Sequence, residues 1–161
     1  MDTSAITNTL NIWLEKNGFD ARVAGANSDW YWYWEDNHIE YSLVCVVNNL
    51  VTWNALLEEL NCKYVIDPFF SCFLHELGHA QTYFDLDDDI IDDDEETKRL
   101  MQEDPASFAE DLDDLYFHLP MEIVATKWAV DFINTHPNEV RDLISAVSPL
   151  IQDFYKLNKI A

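Results

Sequence analysis

Two histidines and a glutamate lie close together in the sequence HELGH, which covers residues 75–79. Residues four apart on a helix face the same way, so His75 and His79 can converge on one metal ion while Glu76 projects beside them. Zinc held by two histidines and a carboxylate keeps a fourth position open for a water, whose pKa it lowers to about 7. The motif therefore predicts a zinc site with Glu76 as general base, if the chain supplies a third ligand.

The alternative interpretation is that these five residues match the motif by chance. The segment around them argues against chance, because it is strongly apolar and predicts a buried helix. Two histidines and a glutamate buried in such a helix are costly unless they have a partner. A bound metal ion is the partner that their spacing indicates.

Two residues are candidates for the third ligand. Glu122 opens a later helix, and the small residues Ala125 and Ala129 follow on its face, so a second backbone can approach the motif helix closely. Asp85 lies six residues beyond the second histidine, a position used when the chain turns sharply, but that turn favours glycine where this sequence has Thr82. We favour Glu122. The competing explanation for this residue is that an acid in the first turn of a helix interacts favourably with the helix dipole.

The segments before the motif predict a helix, several strands and a second helix. Apolar residues recur at helical spacing over residues 3–17, and Gly18 is a stop signal. The sequences DWYWYWED and HIEYSLVCVV are typical of strands, with a hairpin through Asp36 and Asn37 and a short third strand at 22–24. A second helix is predicted over about 49–60.

The motif helix should begin at Asp67 and Pro68, which are a favourable N-cap and first helical residue. Further helices are predicted from Pro120 and after residue 136, the last one interrupted at Pro149. The order of helix, strands and then helices indicates one α+β domain over residues 1–161, with a small antiparallel or mixed sheet packed on the central motif helix.

Half of the residues from 85 to 114 are acidic, and we interpret this segment as a solvated insertion with a short helix near 96–102. Its first residues match an EF-hand calcium loop in part, but Ile90 stands where that loop requires glycine, which favours a solvated acidic loop. Cys72 lies one turn before His75, and core packing is the better explanation for it than metal binding.

The net charge of −22, from 31 acidic and 9 basic residues, disfavours direct contact with nucleic acids or anionic membranes. A peptide substrate or a basic protein partner is compatible with it. The three cysteines are an odd number without a regular spacing, which favours reduced thiols over disulfides. With no export signal or spanning segment in the sequence, we expect a cytoplasmic protein, in the host cytoplasm if it is viral.

HELGH and the segment MEIVATKWAVDF (121–132) resemble the gluzincin group of zinc metallopeptidases. In size and element order the chain resembles the ImmA/IrrE-type peptidases and the compact minigluzincins, some of which phages encode, over roughly residues 31–134. The resemblance implies that His75, His79 and Glu122 bind zinc and that Glu76 is the general base. It also implies an upstream strand that pairs with extended substrate, for which HIEYSLVCVV is the counterpart.

The chain departs from this group in two ways. The acidic insertion lengthens the connection between His79 and Glu122, so that it could cover the cleft, and no residue is assigned to stabilise the transition state. His118, Tyr116 and Tyr155 have the chemistry for that role, but such residues are more often packed or on the surface. Two other functions therefore stay open, an acidic decoy of the DNA-mimic type and a zinc-binding protein without catalytic activity.

Overall fold

The structure is a computed structural model that describes residues 2–43, 50–108 and 112–158. Within these ranges the chain forms an α+β fold, as predicted, with a small mixed sheet and seven α-helices, none of which is long and apolar enough to cross a membrane. The elements are α1 (Ser4–Lys16), β1 (Arg22–Asn27), β2 (Tyr31–Tyr33), β3 (His38–Ser42), α2 (Leu50–Glu59), α3 (Pro68–Thr82), α4 (Asp88–Glu103), α5 (Leu112–Phe117), α6 (Pro120–Thr135) and α7 (Pro137–Asn158).

Helix α1 forms as its pattern predicts and ends at the expected glycine. Gly18 has a φ of 76°, in the left-handed region that favours glycine. This conformation lets the Phe19 amide donate to the Leu14 carbonyl at 3.0 Å, which closes the last turn. The apolar face of α1 is buried against the sheet and α7.

The sheet has the order β1-β3-β2, with β1 parallel and β2 antiparallel to β3. The hairpin between β2 and β3 is confirmed, and Asn37 adopts a φ of 49° in its turn. The candidate third strand at 22–24 is also confirmed as part of β1.

The expectation that HIEYSLVCVV pairs with substrate is wrong for residues 38–40. Both hydrogen-bonding edges of β3 are occupied there, by β1 and by β2. Residues 44–47 of that sequence, which include Cys45, lie outside the described residues. Asn49, the predicted start of the second helix, also lies outside them. Among the described strands, β2 is the edge strand that contacts α3.

Helix α3 is the centre of the molecule. Every residue from Phe69 to His79 is buried, and the helix contacts β2, β3 and α6. Aromatic rings fill the space around it. Trp13 of α1 lies 6.0 Å from both Phe73 of α3 and Phe132 of α6, measured between ring centroids. The predicted central position of the motif helix is therefore confirmed.

The acidic segment is more ordered than its composition predicts. Instead of a solvated loop with a short helix, it forms the sixteen-residue helix α4, which begins at Asp88. The calcium-loop alternative is wrong for the same reason, because three of its five ligand positions, Asp89, Asp93 and Glu96, lie on this helix. Asp94 and Met101 are buried and α4 contacts α6, so one face of the helix packs on the domain while the others carry the exposed carboxylates.

Helix α7 continues through Pro149, contrary to the predicted interruption. Pro149 has no N–H to donate to the carbonyl of Ser145, which costs the helix one hydrogen bond. The burial of one complete apolar face on the core offsets this loss. That face consists of Val140, Leu143, Val147, Ile151 and Phe154.

Candidate metal centre

Helix α3 carries the motif because its start is well specified. The Asp67 carboxylate accepts a hydrogen bond from the Phe69 amide at 2.9 Å, and Pro68 occupies the first turn, as predicted. One regular helix then runs through residues 75–79, so the side chains of His75 and His79 project from the same face.

Glu122 reaches these histidines because α6 packs closely against α3. A Cβ atom added to Gly78 would lie 2.3 Å from the carbonyl oxygen of Ala125, so a larger residue could not fit without moving a backbone. Ala125 and Ala129 are fully buried along the same contact. The small residues therefore bring the two helices together, as their spacing predicts.

Three side-chain atoms form a compact triangle at this contact. The Oε2 atom of Glu122 lies 3.0 Å from Nε2 of His75 and 3.4 Å from Nε2 of His79. The two Nε2 atoms are 3.2 Å apart. All three residues are buried, and together they form a group that could hold a metal ion.

The dimensions and the donor atoms of the triangle fit a transition metal. An ion with four tetrahedral bonds of about 2.0–2.1 Å has ligand atoms about 3.3–3.4 Å apart, close to the observed distances. Two imidazole nitrogens and one carboxylate oxygen are typical ligands of zinc and its neighbours. Calcium and magnesium prefer oxygen ligands throughout, so this group does not suit them.

Thr126 determines which nitrogen of His75 carries a proton. The hydroxyl group of Thr126 donates to the Glu122 carbonyl at 2.7 Å. Its oxygen, 3.0 Å from Nδ1 of His75, must therefore accept a hydrogen bond from the Nδ1–H group. With the proton of the neutral imidazole on Nδ1, Nε2 is the nitrogen that could give its lone pair to a metal ion.

Two tryptophans hold the imidazole rings in place. Trp53 meets the His75 ring edge to face at 5.5 Å, and its indole N–H donates to Ser71 at 2.9 Å. Trp32 of β2 stacks on His79 at 6.3 Å with an interplanar angle of 11°. The sheet and α2 therefore both contribute to the orientation of the histidines.

Glu76 follows His75 on α3 and is also buried. Burial raises the pKa of Glu76 to about 7, with an opposing effect from His75 and a smaller supporting one from Glu122. A carboxyl group with a pKa near neutrality suits a general acid or base. The structure thus brings His75, His79 and Glu122 together, and the charges of His75 and Glu122 act on Glu76.

Glu122 is held as a charged carboxylate although it is 2% exposed. Burial alone would raise the pKa of Glu122, but His79 and His75 outweigh it and keep that pKa well below its ordinary value. The other oxygen of the carboxylate, Oε1, accepts a hydrogen bond from Lys98 of α4 at 2.6 Å. Oε2 is therefore the oxygen directed at the histidines.

Helix α4 also fixes the start of α6. The carboxylate of Asp94, itself 2% exposed, accepts a hydrogen bond from the Met121 amide at 2.7 Å. This amide is one of the unpaired donors in the first turn of α6, so Asp94 caps that helix from another part of the chain. The acidic segment thus contacts both the ligand Glu122 and the residue before it.

Tyr116 is the candidate for transition-state stabilisation that lies at the site. The pKa of its hydroxyl is raised well above the ordinary value by desolvation of the hydroxyl and by the charges of Glu122 and Glu76, although the residue as a whole is 39% exposed. The Lys98 ammonium group lies 5.5 Å from its ring centroid. Tyr155 instead donates to the Leu43 carbonyl at 2.7 Å, and His118 contacts Asp114 and Glu59.

Asp85 and Cys72 do not join the group of metal-binding atoms. Asp85 ends a short 3-10 turn (Tyr83–Asp85) after α3, and the structure brings Glu122 to the histidines instead. Cys72 is buried in the hydrophobic core, which supports the packing interpretation.

Sequence reasoning did not identify Thr126, Lys98 or Asp94. Thr126 had a weak signal, since it is a polar residue four positions after Glu122 on the apolar helix. Lys98 and Arg99 are the two basic residues in the acidic segment. Their presence there could have indicated that one of them pairs with an acid elsewhere in the chain. Asp94 had no signal, because its neighbours are also acidic.

The chain was compared with protein-family models, with curated proteins and with solved structures, and none of them matches it.

Proposed function

We propose that the protein is a zinc-dependent metallopeptidase, with His75, His79 and Glu122 as zinc ligands and Glu76 as general base. The observation that carries the proposal is the buried triangle of ligand atoms, 3.0 to 3.4 Å apart, with the Glu76 carboxyl group beside it. The arrangement agrees with the resemblance to small gluzincins, which rests on the same residues.

The residues of the chain have separate roles in this proposal. Zinc, when bound, supplies a Lewis acid that activates a water molecule and polarises the substrate carbonyl. Glu76 would accept a proton from the attacking water and return it to the leaving amine. Thr126 keeps His75 in the tautomer that binds metal, and Lys98 holds the Glu122 carboxylate so that Oε2 faces the histidines.

The edge strand β2 is the best support for an extended peptide as substrate. Strand β2 pairs with β3 on one side, and its other edge is open within the described sheet. Trp32 of this strand stacks on His79, so a peptide added to the open edge would pass close to the ligands. We therefore transfer the substrate-pairing role from β3 to β2.

The proposal is tested by comparing the wild type with Glu76→Gln on a mixture of peptides, with cleavage followed by mass spectrometry. We expect the wild type to cleave peptide bonds and to lose this activity with a chelator. Loss of a general base costs about 10²–10⁴-fold, so the variant should be nearly inactive. Both proteins should contain the same amount of zinc. Cleavage that persists in the variant or in chelator would contradict the mechanism.

The net charge of −22 supports a second candidate, an acidic protein that occupies a basic partner such as a DNA-binding protein. Salt-sensitive binding to such a partner, unchanged by Glu76→Gln, would favour this function. The decoy function does not account for the buried metal-binding group, which is why we rank it second.

A further inference from the structure

A series of aromatic rings leads from the metal centre to the surface. After His79 comes Trp32, whose ring centroid is 5.1 Å from that of Tyr83. Tyr83 in turn stacks on Trp34 at 6.4 Å with an angle of 10°, and meets Phe84 at 5.3 Å. We call the rings of Trp32, Trp34, Tyr83 and Phe84 the aromatic ledge.

The outer end of the ledge is exposed to solvent. Trp34 is 50% exposed and Phe84 is 74% exposed, whereas His79 at the inner end is 8% exposed. Large exposed rings that lie together are uncommon on a protein surface unless they bind something. The ledge is thus a surface with one end at the candidate metal centre.

Carboxylates flank this ledge. Asp88, Asp92 and Glu95 are spaced four and three residues apart, so they line one face of α4, and Glu35 follows Trp34 directly. Helix α4 begins five residues after Tyr83, which places its first turns next to the ledge in the chain. Burial raises the pKa of the Tyr83 hydroxyl, and the charges of the four carboxylates raise it further, as expected for acids near this ring. In the ranges that the structure describes, none of the four forms an ion pair with a basic side chain.

We propose that the aromatic ledge and its four carboxylates bind an arginine or lysine side chain of a peptide. A guanidinium or ammonium group is attracted both to the face of an indole ring and to nearby carboxylates. Few other groups satisfy both halves of the surface, because an apolar side chain leaves the carboxylates without a partner and an acidic one is repelled.

A peptide is the occupant that the position of the ledge favours. Trp32 belongs to the open edge strand β2 and also contacts His79, so a chain that binds the strand would carry its side chains along the ledge. Nucleic acids also offer planar rings, but their phosphates would face the four carboxylates. The inference rests on the proposed function only where it concerns substrates, because a peptidase with this ledge would prefer peptides with basic side chains.

The test measures peptide binding rather than cleavage. The probe is a capped glycine peptide with two arginines, and its control contains citrulline, which has the same shape without the charge. Affinities are measured calorimetrically with the Glu76→Gln protein, at low and high salt, with and without a chelator. We expect the arginine peptide to bind more tightly than the citrulline peptide, most clearly at low salt and also in chelator.

Two variants examine the ledge itself. Trp34→Leu should weaken arginine-peptide binding by about twofold to thirtyfold, the range of one cation–π contact. The triple variant Asp88→Asn, Asp92→Asn, Glu95→Gln should weaken it by about threefold to a hundredfold and reduce its salt dependence.

Each variant has a matched control. Tyr64→Leu removes an aromatic side chain that is 48% exposed and lies in the connection between α2 and α3. The triple variant Glu15→Gln, Asp20→Asn, Asp131→Asn removes the same charge from exposed positions on α1, the turn after it and α6. Both controls should bind the arginine peptide as the parent protein does.

The outcomes separate this inference from the proposed function. Equal binding of the arginine and citrulline peptides, or equal losses in the variants and their controls, would overturn the inference even if the protein is a zinc peptidase. Selective binding that needs Trp34 and the α4 carboxylates would support it even if the protein cleaves nothing.

Discussion

At the scale of single residues, the orientation of His75 depends on one hydroxyl group. Thr126→Val keeps the shape of the side chain but removes the acceptor for the Nδ1–H group of His75. Loss of such a partner typically weakens metal binding by about 10–100-fold. We expect this loss for Thr126→Val in a chelator-competition titration with zinc.

Thr126→Ser is the matched control, because serine retains the hydroxyl group. It should bind zinc within a few-fold of the wild type. If the valine variant binds zinc as tightly as the serine variant, the hydrogen bond to His75 has no role in metal binding.

A second residue, His118, should titrate above the ordinary histidine range. Its pKa is raised chiefly by the hydrogen bond to the Asp114 carbonyl at 2.7 Å, with further contributions from the Asp114 and Glu59 carboxylates. The protonated form is favoured in the folded state. His118 therefore contributes stability that is complete below its unfolded pKa of about 6.5 and is lost as the pH rises through its folded pKa.

The measurement is an NMR titration of the His118 ring protons. We expect a midpoint above 6.5 in the wild type and a smaller increase in Glu59→Gln, since the backbone contact with Asp114 remains. A midpoint at or below the unfolded value would show that these contacts do not form.

At the scale of elements, the contact between α3 and α6 depends on Gly78. In Gly78→Ala the new methyl group would meet the Ala125 carbonyl, and overpacking of this kind costs about 1–3 kcal/mol. The better helix propensity of alanine returns about 1 kcal/mol. We expect a net loss of stability in urea unfolding, and weaker zinc binding because α6 carries Glu122.

Gly25→Ala is the control for this substitution, because no atom lies within 4 Å of a Cβ added to Gly25. Its stability should stay within about 0.5 kcal/mol of the wild type. A Gly78→Ala protein that is as stable as this control and binds zinc normally would contradict the close approach of the helices.

Helix α4 should stabilise the metal-free protein through Lys98. In Lys98→Met the buried Glu122 carboxylate loses its cationic partner, which is 2.6 Å away in the wild type. Breaking a fully buried ion pair costs about 3–5 kcal/mol, and we expect roughly 2–3 kcal/mol here because Lys98 is partly exposed. Bound zinc supplies another cation for Glu122, so the loss should be smaller in the zinc-loaded protein.

Lys127→Met is the matched control, because it removes the same charge from an exposed position on α6. Thermal and urea unfolding of both variants, with and without zinc, checks the prediction. A loss that is equal in the two variants, or that does not shrink with zinc, would argue against a direct role of Lys98 at Glu122.

The elements that the sequence predicts well are those specified by neighbouring residues. The α3 helix follows from Asp67, Pro68 and its apolar residues, and the β2–β3 hairpin follows from the turn at Asn37. Helix α4 was underestimated because its acidic residues favour solvent, whereas its stability in the fold comes from tertiary contacts with α6. No local pattern encodes those contacts.

The same distinction applies to the site. The spacing of the histidines and the small residues after Glu122 predicted that His75, His79 and Glu122 meet, because both patterns follow from helix geometry. The partners of these residues come from distant segments. Lys98 is 24 positions from Glu122 in the sequence, and Thr126 is 51 positions from His75. Only the fold brings them together.

At the scale of the whole molecule, a strongly acidic surface encloses a small group of buried histidines and carboxylates. Aromatic side chains of the core pack between α3 and α6. Helix α4 contributes Lys98, which pairs with the Glu122 carboxylate, and Asp94, which caps the start of α6. The open edge of the sheet and the aromatic ledge adjoin the same group. The proposed peptidase activity therefore depends on whether that group binds a metal ion.

The most direct test is the zinc content per chain after purification without chelators, in the wild type and in Glu122→Ala. We predict about one zinc ion per wild-type chain, as expected for a site with two histidines and one carboxylate, and markedly weaker retention in the variant. Equal retention in the two proteins would contradict the role of Glu122. A wild-type protein without zinc, even after zinc is added back, would contradict the metal centre itself.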